Sequence, residues 1–232
     1  MLIAGVHRLT LLDFPGITAC TVFTAGCNFR CPYCHNSEMV FPERFPEQMI
    51  PDGVFFNFLK KRQGLLEGVC ITGGEPTMQK DLGDFVRQIK EFGFKVKLDT
   101  NGTNPNLLEE LYGEGLLDYV AMDIKSAPDN YDEIAGVSVV FENIERSRDL
   151  IMNSGVDYEF RTTVLPRFHN IERVRGIGEF IRGAKRHYLQ QFRGVEFCLD
   201  ESFANERSFG LGEMEELAEC MREYVERCEV RS

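Results

Sequence analysis

The chain has 232 residues, 43% hydrophobic and 27% charged, which supplies a buried core without a disulfide scaffold. A balance of 37 acidic against 26 basic residues leaves a formal charge of −11 and excludes broad nucleic-acid binding, because a phosphate footprint needs clustered Lys and Arg. There is no apolar run of about 18 residues, and the first residues lack the basic start and apolar stretch of a secretion signal, so a cytoplasmic protein without a membrane span is expected.

In chain order, residues 18–24 (TACTVFT) form a β-rich run that stops just before three crowded cysteines. A helix over 52–61 follows, then a short apolar strand at 69–72 (VCIT) ending on Gly73-Gly74. Leu82, Phe85, Val86, Ile89 and Phe92 recur at helical spacing. Residues 95–100 (KVKLDT) alternate as a third strand and stop at Asn101-Gly102. Pro105 then opens a helix over 105–112, where its locked φ and missing donor cost nothing. A strand at 119–124 (YVAMDI), a helix at 141–152 and a strand at 158–164 (YEFRTTV) come next. Ile171, Val174, Ile177, Ile181 and Ala184 mark another helix. Arg182, Lys185, Arg186 and His187 read as its solvated basic end. A sixth strand at 195–199 (VEFCL) precedes a C-terminal helix near 212–228.

Strands separated by helices predict an α/β domain over 1–232 with a mostly parallel sheet and right-handed crossovers. Six units are too few for a closed eight-fold barrel and suit an open barrel arc or a doubly wound sheet. In both, ligands bind at the C-terminal ends of the strands.

Cys27, Cys31 and Cys34 lie in the loop 26–36 with C-x3-C-x2-C spacing, directly after a strand. In a cytosolic chain such crowding reads first as a metal site. Three thiolates hold three irons of a 4Fe-4S cluster and leave the fourth iron open to an exchangeable nitrogen and oxygen chelate. The amino and carboxylate groups of S-adenosylmethionine are suitable, and a reduced cluster beside the sulfonium yields a 5′-deoxyadenosyl radical. The alternative is structural zinc. It needs a fourth ligand, and His35 is awkwardly adjacent to Cys34. Cys20 and Cys70 read as small core residues, and Cys220 and Cys228 lie too far apart on the presumed helix for a disulfide.

Cys27, Cys31, Tyr33 and Cys34 resemble the signature of the radical S-adenosylmethionine superfamily, which has an aromatic residue before its last cysteine. Cys34-His35-Asn36 resembles the glycyl-radical-enzyme activases. Leu12-Asp13-Phe14-Pro15-Gly16, followed by the segment from Phe23 to Cys31, resembles anaerobic ribonucleoside-triphosphate reductase activating proteins. The resemblance implies a partial (β/α)6 barrel, a 4Fe-4S cluster with S-adenosylmethionine, a glycyl-radical enzyme as protein substrate, and flavodoxin, ferredoxin or a similar electron donor. A pyruvate formate-lyase-like partner, a small-molecule radical enzyme such as a 7-carboxy-7-deazaguanine synthase, and a zinc-stabilised interaction module are the competing readings.

Other motifs acquire roles beside that loop. Gly73 and Gly74 let a ligand approach the backbone, and Glu75 accepts from a ligand ammonium; by resemblance this element contacts the methionine amino group. The resemblance also places Asp99 and Asn101 near the cofactor and gives Asp123 and Lys125 the ribose or methionine carboxylate, with the two aspartates framing a cation in some activases. Tyr33 packs beside the adenine or shields the cluster. Alternation puts Arg161 and Thr163 on one face of their strand, where Arg161 meets a cofactor carboxylate or Asp123. His169 reads as a rim or surface residue. Asn28, Phe29 and Arg30 shape the cysteine loop.

Overall fold

The computed structural model describes residues 1–45, 48–194 and 198–231. Its sheet contains β1 (Ile3–Thr10), β2 (Ala19–Thr24), β3 (Gly68–Gly73), β4 (Lys95–Thr100), β5 (Tyr119–Asp123), β6 (Asp157–Val164), β7 (His187–Gln191) and β8 (Cys228–Arg231), hydrogen-bonded in that order. β1 runs antiparallel to β2, and every later pair is parallel. The helices between them are α1 (Ser37–Val40), α2 (Asp52–Lys60), α3 (Leu82–Glu91), α4 (Pro105–Gly113), α5 (Tyr131–Ala135), α6 (Phe141–Asn153), α7 (Ile171–Phe180) and α8 (Leu211–Arg222). The strand order never reverses, so no switch point sends helices to both faces. Right-handed crossovers carry them to one face, and the twisted sheet closes partway as a barrel arc. β2 to β7 with their following helices make the expected (β/α)6 arc, extended by β1 and β8. No helix among the described residues is long and apolar enough to cross a membrane.

Register sorts the strand side chains into two environments. Val69, Val96 and Val120 lie on one face with Ile71, Leu98 and Phe160, all without solvent exposure and joined to the helices in one core. The opposite face, inside the arc, carries Cys70, Lys97, Asp99, Glu159 and Arg161. Cys20 and Cys70 are buried as expected, but Cys70 sits in this polar interior, 3.8 Å from the Lys97 Nζ.

Three strands depart from the sequence reading. β1 was not predicted. β7 begins at His187, the last residue of the segment read as a solvated basic end: Arg182 and Lys185 are exposed as read, whereas His187 is fully buried. The predicted strand at 195–199 falls largely on residues 195–197, which lie outside the described residues, and Cys198 and Leu199 are not in a strand. The C-terminal helix stops at Arg222, and Cys228 opens β8.

His187 explains why its segment turns inward. The Thr162 hydroxyl donates to the Ile124 carbonyl at 2.8 Å and therefore accepts from the His187 Nε2–H at 3.0 Å. Nδ1 is left facing the Cys228 sulfur at 3.9 Å. Neighbouring strands are tied behind the sheet by this chain. Burial lowers the His187 pKa to about 3, and burial likewise lowers His169 to about 4. An unfolded imidazole titrates near 6.5, so the unfolded chain binds more protons below that pH. Stability is therefore complete above pH ~6.5 and falls as pH drops toward the folded values, by about 2 kcal/mol per imidazole at pH 5. Thermal melts at pH 7.5 and 5 check this; an unchanged melting temperature would mean that neither ring is held neutral.

Candidate active site

A cavity of about 420 Å³ opens at the C-terminal ends of the strands. Every residue singled out for the site lines it: Cys27, Cys31, Tyr33, Cys34, Gly73, Gly74, Glu75, Asp99, Asn101, Asp123, Lys125, Arg161 and Thr163.

The cysteine loop is held by its own backbone and by neighbouring turns. Gly26 and Cys27 donate to the carbonyls of Met39 and Val40 at 2.7 and 3.2 Å, and Arg30 donates through its amide to the α5 carbonyl of Ala135 at 2.7 Å. The Arg30 guanidinium curls back to the carbonyls of Cys27 and Phe29 at 2.6 and 2.8 Å and stacks on the Phe41 ring. It braces the loop. Asn28 donates to Thr103 and accepts from Asn101, each at 2.8 Å, so the Asn101 side chain is spent on tying the cysteine loop to the turn after β4.

Burial pushes the Cys27 thiol up to about 12 and Cys31 to about 11, and raises Cys34 as well; Lys125 pulls each the other way. Thiolates here therefore need a cationic partner, which a bound metal centre provides. Among the described residues no group of three or more His, Cys, Asp or Glu is placed to hold a metal ion. A cluster makes a different demand, since each thiolate binds its own iron. The Tyr33 hydroxyl is buried beside these thiols without a hydrogen-bond partner, an orphaned donor that a ligand in the cavity can satisfy. Three thiols, the half-buried Lys125 ammonium and an orphaned hydroxyl on one cavity fit an anionic cluster with a polar cofactor.

The paired glycines work differently from the sequence reading. A Cβ on Gly73 would lie 2.4 Å from the Thr24 nitrogen, and one on Gly74 would lie 2.2 Å from the Gly26 oxygen. The space they leave is filled by the end of β2 at Thr24 and the start of the cysteine loop at Gly26, to whose carbonyls Gly74 and Glu75 respectively donate backbone hydrogen bonds at 2.8 Å each. Gly74→Ala is expected to displace the loop and cut iron retention after anaerobic reconstitution more than tenfold, while the overall fold survives by circular dichroism. Normal iron content in that variant would show that the loop has room to shift.

Glu75 is also committed within the protein. Its Oε1 accepts from the Thr77 amide at 3.0 Å, the Thr77 hydroxyl at 2.5 Å and the Thr100 hydroxyl at 2.8 Å, and Oε2 accepts from the Asn101 amide at 2.6 Å. Burial raises its pKa despite these donors. The carboxylate clamps the ends of β3 and β4 together.

Below the rim lies a chain of five charges. Arg161 binds Asp123 through Nε and Asp99 through Nη1, each at 2.9 Å. Lys125 pairs with Asp123 at 2.9 Å, and Lys97 with Asp99. Arg161 thus meets Asp123 as one of its two readings required, and its guanidinium fills the space between the two aspartates where the resemblance placed a cation. Burial works against the Asp123 carboxylate, yet Arg161 and Lys125 hold it well below the usual carboxylate range. Lys125 is raised well above the usual ammonium value, because the field of Asp123 and Cys31 outweighs burial. His169 is buried, neither rim nor surface: Nδ1 accepts from the Leu165 amide at 3.3 Å and Nε2 faces the Lys125 carbonyl at 3.2 Å. It holds the turn that carries Lys125.

Sequence reasoning missed Lys97, Gln190 and the aromatic wall of Phe168 and Phe192 beside Tyr33. A signal existed for Lys97: strict alternation places it on the same face as Asp99. Gln190 had none, because its strand lacks β-branched residues.

Residues 21–181 match the Radical SAM superfamily. The chain is 32% identical over 238 residues to MJ1227 of Methanocaldococcus jannaschii, provisionally named a glycyl-radical enzyme activating enzyme, with 100% of this chain and 96% of that protein covered. It is 29% identical over 194 residues to the pyruvate formate-lyase-activating enzyme of Clostridium pasteurianum, covering 79% of each. The crystal structure of Streptococcus suis SuiB bound to precursor peptide SuiA aligns with a TM-score of 0.69 at 14% identity, covering 91% of this chain and 48% of SuiB. The chain spans about half the length of SuiB, and the likeness is one of fold.

Proposed function

Because the chain belongs to the radical S-adenosylmethionine superfamily and is a radical S-adenosylmethionine enzyme related to the glycyl-radical-enzyme activases, we propose that it activates a glycyl-radical enzyme, anaerobic ribonucleoside-triphosphate reductase, by removing a glycine α-hydrogen. The observation that carries this reading is the end-to-end similarity to an activating enzyme, over 100% of this chain and 96% of that one. The narrower choice of reductase rests on Leu12-Asp13-Phe14-Pro15-Gly16 and the cysteine-loop sequence.

In this reading Cys27, Cys31 and Cys34 hold the 4Fe-4S cluster. With S-adenosylmethionine and an electron from flavodoxin, ferredoxin or a similar donor, that group supplies a 5′-deoxyadenosyl radical. The protein's own residues do the positioning. Arg30 and the Gly73-Gly74 contact fix the thiols, and Glu75 and Asn101 fix the strand ends opposite them. Lys125 has a single carboxylate partner among the described residues, leaving ammonium donors for the cofactor carboxylate, and its charge compensates the thiolates. Asp99, Asp123 and Arg161 set the height and charge of that ammonium. Tyr33 directs its hydroxyl at the cofactor, and Phe168 and Phe192 behind it exclude water from the radical.

The test is anaerobic incubation with reductant, S-adenosylmethionine and the reductase. A glycyl signal by electron paramagnetic resonance is expected; cofactor turnover without it would reject the reading. Activation of a pyruvate formate-lyase-type partner is the second reading, favoured by the similarity to the Clostridium pasteurianum enzyme. Offering both partners side by side separates the two.

A further inference from the structure

The interior of the arc is layered, and the layers differ in charge. At the bottom Glu159 is buried against Arg231 at 2.8 and 2.9 Å and accepts from the Tyr119 hydroxyl at 2.9 Å. Above it lie the five paired charges already described, and every cation lining the cavity, Lys125 and Arg161, has an aspartate partner. The wall above Arg161 is uncharged. Thr163 on β6 stands directly beside Gln190 on β7 in parallel register, and both line the cavity. Neither side chain has a hydrogen-bond partner among the described residues, whereas neighbouring Gln191 donates to the Phe209 carbonyl at 2.5 Å. This wall is four and five strands along the arc from β2, whose end carries the cysteine loop, so a substrate beside the cofactor lies against it.

We propose that Gln190, with Thr163 beside it, is the specificity-determining contact for the substrate and hydrogen-bonds one backbone amide group of a glycine-containing peptide segment. The inference rests on the protein-substrate reading above and assigns residues to it. A carboxamide offers an acceptor and two donors and a hydroxyl offers one of each, which matches a neutral peptide group. A nucleoside triphosphate needs unpaired cations or a metal for its phosphates, and the wall offers none.

The probe is a synthetic peptide spanning the glycyl-radical segment of anaerobic ribonucleoside-triphosphate reductase, bound to reconstituted holoenzyme with S-adenosylmethionine and followed by fluorescence anisotropy; GTP serves as the competing ligand. Gln190→Ala is expected to weaken peptide binding about tenfold, the effect of one lost hydrogen-bonded contact at a desolvated site. Thr163→Val, nearly the same shape, weakens it several-fold, and Thr163→Ser does not. S-adenosylmethionine binding moves far less in all three, and the KM for peptide rises more than kcat falls. Parent-like peptide affinity in both Gln190→Ala and Thr163→Val, with a glycyl signal in the parent, overturns this inference and leaves the activase reading standing. A parent enzyme that cleaves cofactor and binds GTP but not the peptide overturns both.

Discussion

Cys31→Ala protein, rebuilt anaerobically with iron and sulfide, is expected to hold no 4Fe-4S cluster and to release 5′-deoxyadenosine only at background. Cys31 is the most buried of the three loop thiols, at 8% exposure, and its loop is braced on both sides. No other described cysteine belongs to the loop, and Cys20 and Cys70 are locked in the sheet. Alanine removes little volume, so the fold persists while an essential ligand is lost. Cys20→Ala is the matched control: it deletes an equally buried sulfur on β2, costs about 1 kcal/mol, and keeps the iron. Iron, sulfide and zinc analysis with the ultraviolet–visible spectrum reads the outcome. Wild-type iron and turnover in Cys31→Ala would remove the loop from the chemistry, and zinc in place of iron throughout would restore the interaction-module reading.

Asp99→Asn is expected to be the most destabilising single change in the barrel interior. Lys97 is 2% exposed, and Asp99 is its only carboxylate partner among the described residues. Burial alone would lower the Lys97 ammonium, but Asp99 and Cys70 raise it, so the folded protein holds it charged. Neutralising Asp99 strands that charge and leaves three cations against Asp123. The loss of one partner of a buried pair costs about 3–5 kcal/mol. For a chain of this size that lowers the melting temperature by about 10 °C. Adding Lys97→Met should recover much of the loss, because removing both partners leaves an apolar side chain of similar length. A double variant no more stable than Asp99→Asn would mean that Asp99 acts through Arg161 alone.

What the sequence determined by itself is the chemistry at short range. Three cysteines within eight positions need no folding to be recognised, because the loop that wraps a cluster is closed by its own chain. Strands β2 to β6 were legible for the same reason, each being a local run of β-forming residues ended by a polar turn. Their order and the placing of motifs at their C-terminal ends then gather the site residues around one cavity.

The tertiary structure decided what those residues do to one another. Glu75 read as a ligand contact alone because nothing nearby in sequence announces that Thr100 and Asn101, about 25 positions on, also donate to its carboxylate. Gly73 and Gly74 read as room for a ligand, yet the room is taken by Thr24 and Gly26. β7 and β8 are short and carry His, Gln, Glu and Arg, so local propensity is silent, and their place is set by pairing in a sheet already formed. Lys97, Asp99, Arg161, Asp123 and Lys125 come from three separate segments, and their mutual neutralisation exists only once the arc has curled. Hydrogen bonding and charge pairing act over a few ångströms in space, whatever the separation along the chain.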